Sequence, residues 1–218
     1  MRYIAAIMLV LGVLVADRAY ANTGETNQNA ARIREAETRL AELGYWITKV
    51  DGVSDASTKH AITAFQKVEK LKRTGVLNAV TIEKLRSASR PAPKHTGVAH
   101  VEVDITRQVL FLVNDEGIVT HILPVSTGNN ERYFSDGKWQ KAYTPRGTFK
   151  IQRQIKGNRK AKLGTLYYPS YFHEGWAIHG SNSIPVTPAS HGCARIPRFS
   201  EKKMSDLVKV GMPIYLYD

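Results

Sequence analysis

The stretch VEVDITRQVLFLVNDEGIV, residues 101–119, decides how the second half of this 218-residue chain folds. Val101, Val103 and Ile105 alternate with polar residues, the period of a strand with one buried face. Val109 to Val113 then run apolar without a break, Asn114-Asp115-Glu116-Gly117 supplies turn residues, and Ile118-Val119 resumes the apolar pattern. A β-hairpin is predicted. Thr144-Pro145-Arg146-Gly147 reads as a turn into a strand at Thr148–Ile151, Trp176-Ala177-Ile178 as a short strand and Pro213-Ile214-Tyr215-Leu216 as the last one. Only Ser200 to Val210 looks helical, and Asn129 to Tyr143 reads as a polar loop suited to the rim of a cleft. A mostly β domain over residues 98–217 is the expectation.

Upstream the period changes. Ile33, Ala36, Leu40 and Leu43 recur at spacings of three and four, and Gly44 stops that helix. After the turn dipeptide Asp51-Gly52, Asp55 or Ser57 can cap a second helix whose apolar face is Ala61, Ile62, Phe65 and Val68. Thr74-Gly75-Val76-Leu77-Asn78 announces a third, carrying Val80, Ile82 and Leu85. Residues 29–87 therefore predict a small all-α three-helix bundle. The Tyr45-Trp46 pair either stacks on sugar faces or plugs the bundle's own core. Residues 88–97, with Pro91 and Pro93 and no apolar period, have linker composition.

The chain opens with Met1-Arg2-Tyr3 and an uncharged apolar run from Ile4 to Ala16, too short to span a bilayer comfortably. Ala19-Tyr20-Ala21 places small residues where a signal peptidase reads them, so residues 1–21 are expected to be a signal peptide and Asn22 the mature start. An uncleaved anchor is the alternative, and either one exports the chain, to the periplasm or cell wall. Membrane contact is then expected only through this segment before cleavage. With 43% apolar and 23% charged residues the whole chain has a globular composition. Its net charge of +12 favours a polyanionic partner, and export makes a wall polymer the expected one; nucleic acid would rest on charge alone and conflicts with export.

An exported protein usually pairs its cysteines, yet Cys193 is the only one. It is either buried and inert or kept for its reactivity. Around it stand Ile178-His179-Gly180-Ser181 and Pro188-Ala189-Ser190-His191-Gly192-Cys193-Ala194-Arg195. A thiol needs a base or a positive charge to become a nucleophile, and His179 and His191 are close in sequence. Gly192 permits an unusual backbone dihedral and a close approach of substrate, and the N–H groups around Cys193 are candidate oxyanion donors. Arg195 is suited to a substrate carboxylate. Singly each residue has a bland structural explanation; together, in an exported chain with one cysteine, they point to a catalytic site.

Two resemblances follow from these residues. Leu40-x-x-Leu43-Gly44-Tyr45-Trp46, Val50-Asp51-Gly52, Thr58, Ala61, Ala64-Phe65-Gln66-Lys67, Gly75-Val76-Leu77 and Leu85 resemble a peptidoglycan-binding domain of the three-helix type. Thr38 stands where that family commonly has Gln, and Val53-Ser54-Asp55 replaces its Gly-rich turn. His179-Gly180 followed by Ser190-His191-Gly192-Cys193-x-Arg195, with Val125-Ser126-Thr127-Gly128 and Thr144-Pro145-x-Gly147-x-Phe149-x-Ile151 upstream, resembles the YkuD-like L,D-transpeptidase catalytic domain over residues 98–217.

The second resemblance implies Cys193 as nucleophile and His179 as its base, oriented by a backbone carbonyl around Gly180, with Ser190 and His191 shaping the site and no cofactor. It implies a peptidoglycan stem tetrapeptide as substrate, with stem peptides and glycan as partners. A carboxypeptidase using water as acceptor and a non-catalytic wall-binding protein remain the alternatives. A zinc site from His179, His191 and Cys193 is conceivable, but no regular ligand spacing supports it, so no metal is expected.

Overall fold

The computed structural model describes residues 27–218; the expected signal segment lies outside the described residues. Three helices come first: α1 over residues 27–42, α2 (Ala56–Val68) and α3 (Ala79–Ser87). Asp55, one of the two proposed caps, accepts a bond from Thr58 N–H, and Asn78 caps α3 through Thr81 N–H. Gly44 ends α1 with φ +93°, a conformation that favours glycine. Two buried side chains organise the loops. Glu37 accepts the N–H groups of Asp51 and Gly52, and Gln66 accepts those of Thr74 and Gly75.

The rest is mostly β. Strands β1 (His100–Asp104), β2 (Val109–Val113), β3 (Val119–Pro124), β6 (Gly147–Lys150) and β12 (Pro213–Tyr217) form one sheet in the order β3-β2-β1-β12-β6. A second sheet runs β11 (Ala194–Pro197), β10 (Trp176–Ser181), β9 (Gly164–His173), β7 (Arg153–Gln154), with β8 (Asn158–Ala161) paired to β9. Helix α4 (Glu201–Leu207) covers part of β9. The segment read as a polar loop holds a hairpin instead, β4 (Arg132–Ser135) and β5 (Lys138–Lys141). Its residues are mostly exposed, so no apolar alternation marked it as strand.

β2 explains how the two parts fit. All five of its residues are buried. Leu110 and Leu112 face the core between the sheets, with Val101, Val103, Phe172, Ile178 and Ile196, while Val109, Phe111 and Val113 pack on the other side with Leu40, Leu43, Ile62 and Phe65 of the helices. β2 is covered by apolar residues on both faces, and residues 109–113 accordingly read as an unbroken apolar run.

The helical module is thus docked on the outer face of the first sheet. Ile122 N–H donates to Gly44 O at 2.8 Å and Trp46 N–H to Ile122 O at 3.1 Å, so residues 44–46 extend the β3 edge. Lys67, at 1% exposure, reaches from α2 to donate to Gln108 O and Val125 O, each at 3.0 Å. Residues 88–97 also lie against the fold: Arg90 donates to Val119 O, and the N–H groups of Lys94 and His95 donate to the buried Glu102 carboxylate. Tyr45 and Trp46 are 3% and 5% exposed. Neither offers a face to sugar; Tyr45 packs on Phe65, and Trp46 joins the core of the β domain rather than that of the bundle. Among the described residues no helix is long and apolar enough to cross a membrane.

Candidate active site

His179 and Cys193 come from neighbouring parallel strands. β10 and β11 pair Ile178 with Ala194 and His179 with Arg195, so Cys193, just before β11, sits beside the His179 strand. On the other side of β10 the register with β9 slips between Ile178 and Gly180, leaving His179 at an irregularity of the ladder. Such bulges re-aim a side chain.

His179 is buried, and its Nδ1 lies 2.8 Å from Gly180 O. A carbonyl only accepts, so Nδ1 carries the hydrogen and Nε2 keeps its lone pair. Burial, with a smaller push from the Arg195 charge, lowers the imidazole to about 4 against the pull of the Gly180 bond. Cys193 is half-buried, and desolvation raises its thiol although Ala177 N–H and Arg195 draw it the other way. At neutral pH the site therefore holds a neutral imidazole and a neutral thiol.

The loop before Cys193 is fixed atom by atom. Ser190 Oγ donates to Cys193 O at 2.7 Å and accepts Gly192 N–H at 2.9 Å. That N–H is therefore already engaged and is not a free oxyanion donor. Thr144 Oγ1 donates to Gly192 O at 2.7 Å and accepts Gly128 N–H at 2.9 Å. Gly192 has φ +138°, and a Cβ there would lie 2.6 Å from Tyr143 O and against the Trp176 indole. Only glycine fits. Gly180 is pinned differently, since a Cβ would collide with the Glu201 carboxylate that Arg198 holds.

Behind this loop a second tier reaches the helical module. Thr127 O accepts the N–H groups of Ala189 and Ser190, each at 2.9 Å. Thr127 is itself gripped by the Gln108 side chain, which accepts its N–H at 2.8 Å and donates to its Oγ1 at 2.6 Å. Gln108 O is one of the two acceptors of Lys67. Gln108 had no legible signal of this role in the sequence; Lys67, Thr127 and Thr144 stood out only as parts of the patterns that carry the two resemblances.

His179, Ser190, His191, Cys193 and Arg195 all line one cleft of about 830 Å³; Gly180 and Gly192 do not line it. His191 is exposed and its ring meets Tyr133 of β4 edge-on at 4.6 Å. Trp176 and Tyr143 form the wall over Gly192, joined by Trp176 Nε1 donating to Tyr143 O at 3.0 Å. Five cations, Lys141, Arg153, Arg159, Lys162 and Arg195, face this cleft against Asp136 and Glu174. Its field favours an anionic ligand. Among the described residues no group of three or more His, Cys, Asp and Glu is arranged to hold a metal ion.

Comparison with known proteins places both parts. Residues 29–85 match a putative peptidoglycan binding domain, and residues 98–216 match the L,D-transpeptidase catalytic domain. Among solved structures, an L,D-transpeptidase from Xylanimonas cellulosilytica DSM 15894 is 37% identical, with 85% of this chain and 92% of that one covered at a TM-score of 0.79. An L,D-transpeptidase from Stackebrandtia nassauensis is 24% identical over 85% of this chain and 90% of that one, with a TM-score of 0.51, a likeness of fold alone. No curated protein matches the chain.

Proposed function

Because this chain belongs to the L,D-transpeptidase family, we propose that it cross-links peptidoglycan outside the cytoplasm through an acyl-enzyme on Cys193. The observation that carries the proposal is His179: buried, fixed as the Nδ1–H tautomer by Gly180 O, and in strand register beside the Cys193 loop. A neutral imidazole with a free Nε2 is competent as a general base.

A stem tetrapeptide lies in the basic cleft, its carboxylates drawn by Arg195 and its neighbours. His179 Nε2 takes the proton from Cys193 as Sγ attacks the carbonyl of the third residue, a diamino acid. The tetrahedral intermediate collapses, the bond to the terminal D-Ala breaks, and the proton on His179 passes to the departing amine. A thioester remains. The side-chain amine of a diamino acid on a second stem attacks it, His179 accepts the amine proton and returns it to sulfur, and an amide joins the third residues of two stems. Thioesters favour this partition because amines attack them readily and water comparatively slowly.

Purified protein and its Cys193→Ala variant, incubated with disaccharide tetrapeptide and followed by mass spectrometry, test the proposal. A dimer lighter than two monomers by one D-Ala, absent with the variant, is expected. Tripeptide alone would replace transpeptidation by carboxypeptidase activity, and no product from either protein would overturn the assignment of Cys193.

A further inference from the structure

The two exposed aromatics of the β4–β5 hairpin have no task in the mechanism above. Along the hairpin the cross-strand pairs alternate faces. Tyr133, paired with Gln140, lines the cleft, as does Ser135. The next pair, Phe134 opposite Trp139, points away from it, and both are 61% exposed. Their rings meet edge-on at 5.7 Å, and the Arg132 guanidinium lies over Trp139 at 5.2 Å from the ring centre. Neither residue belongs to either hydrophobic core. Two large rings left in water side by side, rimmed by cations, mark a binding surface rather than a packing one.

We infer that Phe134 and Trp139 form a subsite for the sugar chain of the peptidoglycan strand whose stem peptide occupies the cleft. This rests on the transpeptidase reading and adds the place where the glycan lies. The occupant follows from continuity: Tyr133, Ser135 and Gln140 border the cleft, and Lys141, on the face that carries the rings, reaches it from the hairpin's end. Two whole residues and the backbone of the third separate the reacting carbonyl from the sugar, and at roughly 3.3–3.6 Å per residue that stretch places the glycan about 10 Å or more from Cys193. The hairpin lines the same cleft as Cys193, and a four-residue strand covers about 13 Å, a length comparable to that stretch of stem. The chemistry agrees: a pyranose offers an apolar C–H face to an aromatic ring and polar groups at its edge to Arg132. Tyr45 and Trp46, the aromatics first considered for sugar, are buried.

The full-length protein and its Phe134→Ser/Trp139→Ser variant are compared on two donors, disaccharide tetrapeptide and the same tetrapeptide without sugar. The ratio of kcat/KM for the first over the second is expected to fall about tenfold in the variant. An unchanged ratio overturns the subsite. A wild type that turns over neither donor overturns the transpeptidase reading instead, and a second readout then decides the subsite. Peptide-free glycan oligomers are titrated against wild type and the Trp139→Phe variant by tryptophan fluorescence. A saturable change present only with Trp139 supports the subsite, and its absence in the wild type overturns it.

Discussion

The neutral resting state of the Cys193–His179 pair is open to direct measurement, because this chain has one cysteine and alkylation reports on it alone. With His179 pushed down to about 4, only about one imidazole in a thousand is protonated at pH 7. Desolvation holds the thiol above its ordinary value, so the thiolate fraction at pH 7 stays below roughly 3%. Iodoacetamide should therefore modify the free enzyme about ten times faster for each unit between pH 6 and 8. A level rate from about pH 5 to 8 would mean a preformed thiolate–imidazolium pair and would refute the reasoning. Stability gives an independent check. Between pH 6.5 and about 4 an unfolded histidine binds a proton that native His179 does not, so the folded state loses stability as pH falls through that window. The loss attributable to His179 is about 3 kcal/mol at its limit. The difference in urea unfolding free energy between wild type and His179→Asn should follow it, and a difference that is level from pH 7 to 4 would sink the idea.

Two further perturbations probe the tiers behind Cys193. Burial pushes Lys67 down to about 7, so between there and about 10.4 the unfolded lysine holds a proton the native one lacks and stability rises with pH by up to about 1.4 kcal/mol per unit. Lys67→Met should remove that slope from urea denaturation curves measured across the window; a variant with the same slope as wild type would show that Lys67 titrates normally. Thr144→Val keeps the shape but loses the bonds to Gly192 O and Gly128 N–H, at about 1–3 kcal/mol. Turnover should fall more than substrate affinity, and a change confined to KM would argue that the loop before Cys193 does not depend on Thr144.

The candidate site could be assembled from the sequence because its residues are contiguous or nearly so. His179-Gly180 and Ser190 to Arg195 occupy two short segments, and each residue type has a restricted set of uses there. What could not be read is the support that folding imports from far along the chain. Gln108 contacts Thr127 from nineteen residues away, and Thr144 contacts Gly192 from forty-eight. Neither separation carries a period. The β4–β5 hairpin escaped for another reason: it has one face on a cleft and one in water, so neither face is a core face and no alternation of apolar residues announces it.

The relation between the two domains was written in β2, where five consecutive apolar residues need cover on both faces. Composition at 88–97 suggested a tether, which would let the helical module fish for wall while the catalytic domain moved independently. The packing argues otherwise. Val109, Phe111 and Val113 would be exposed if the module swung away, Lys67 would leave the carbonyls of Gln108 and Val125, and residues 44–46 would abandon the edge of β3. Losing that much buried apolar surface and bonding together makes free swinging unfavourable. A docked module that bound the wall would raise local substrate concentration and would also fix where the Cys193 cleft stands relative to the bound strand.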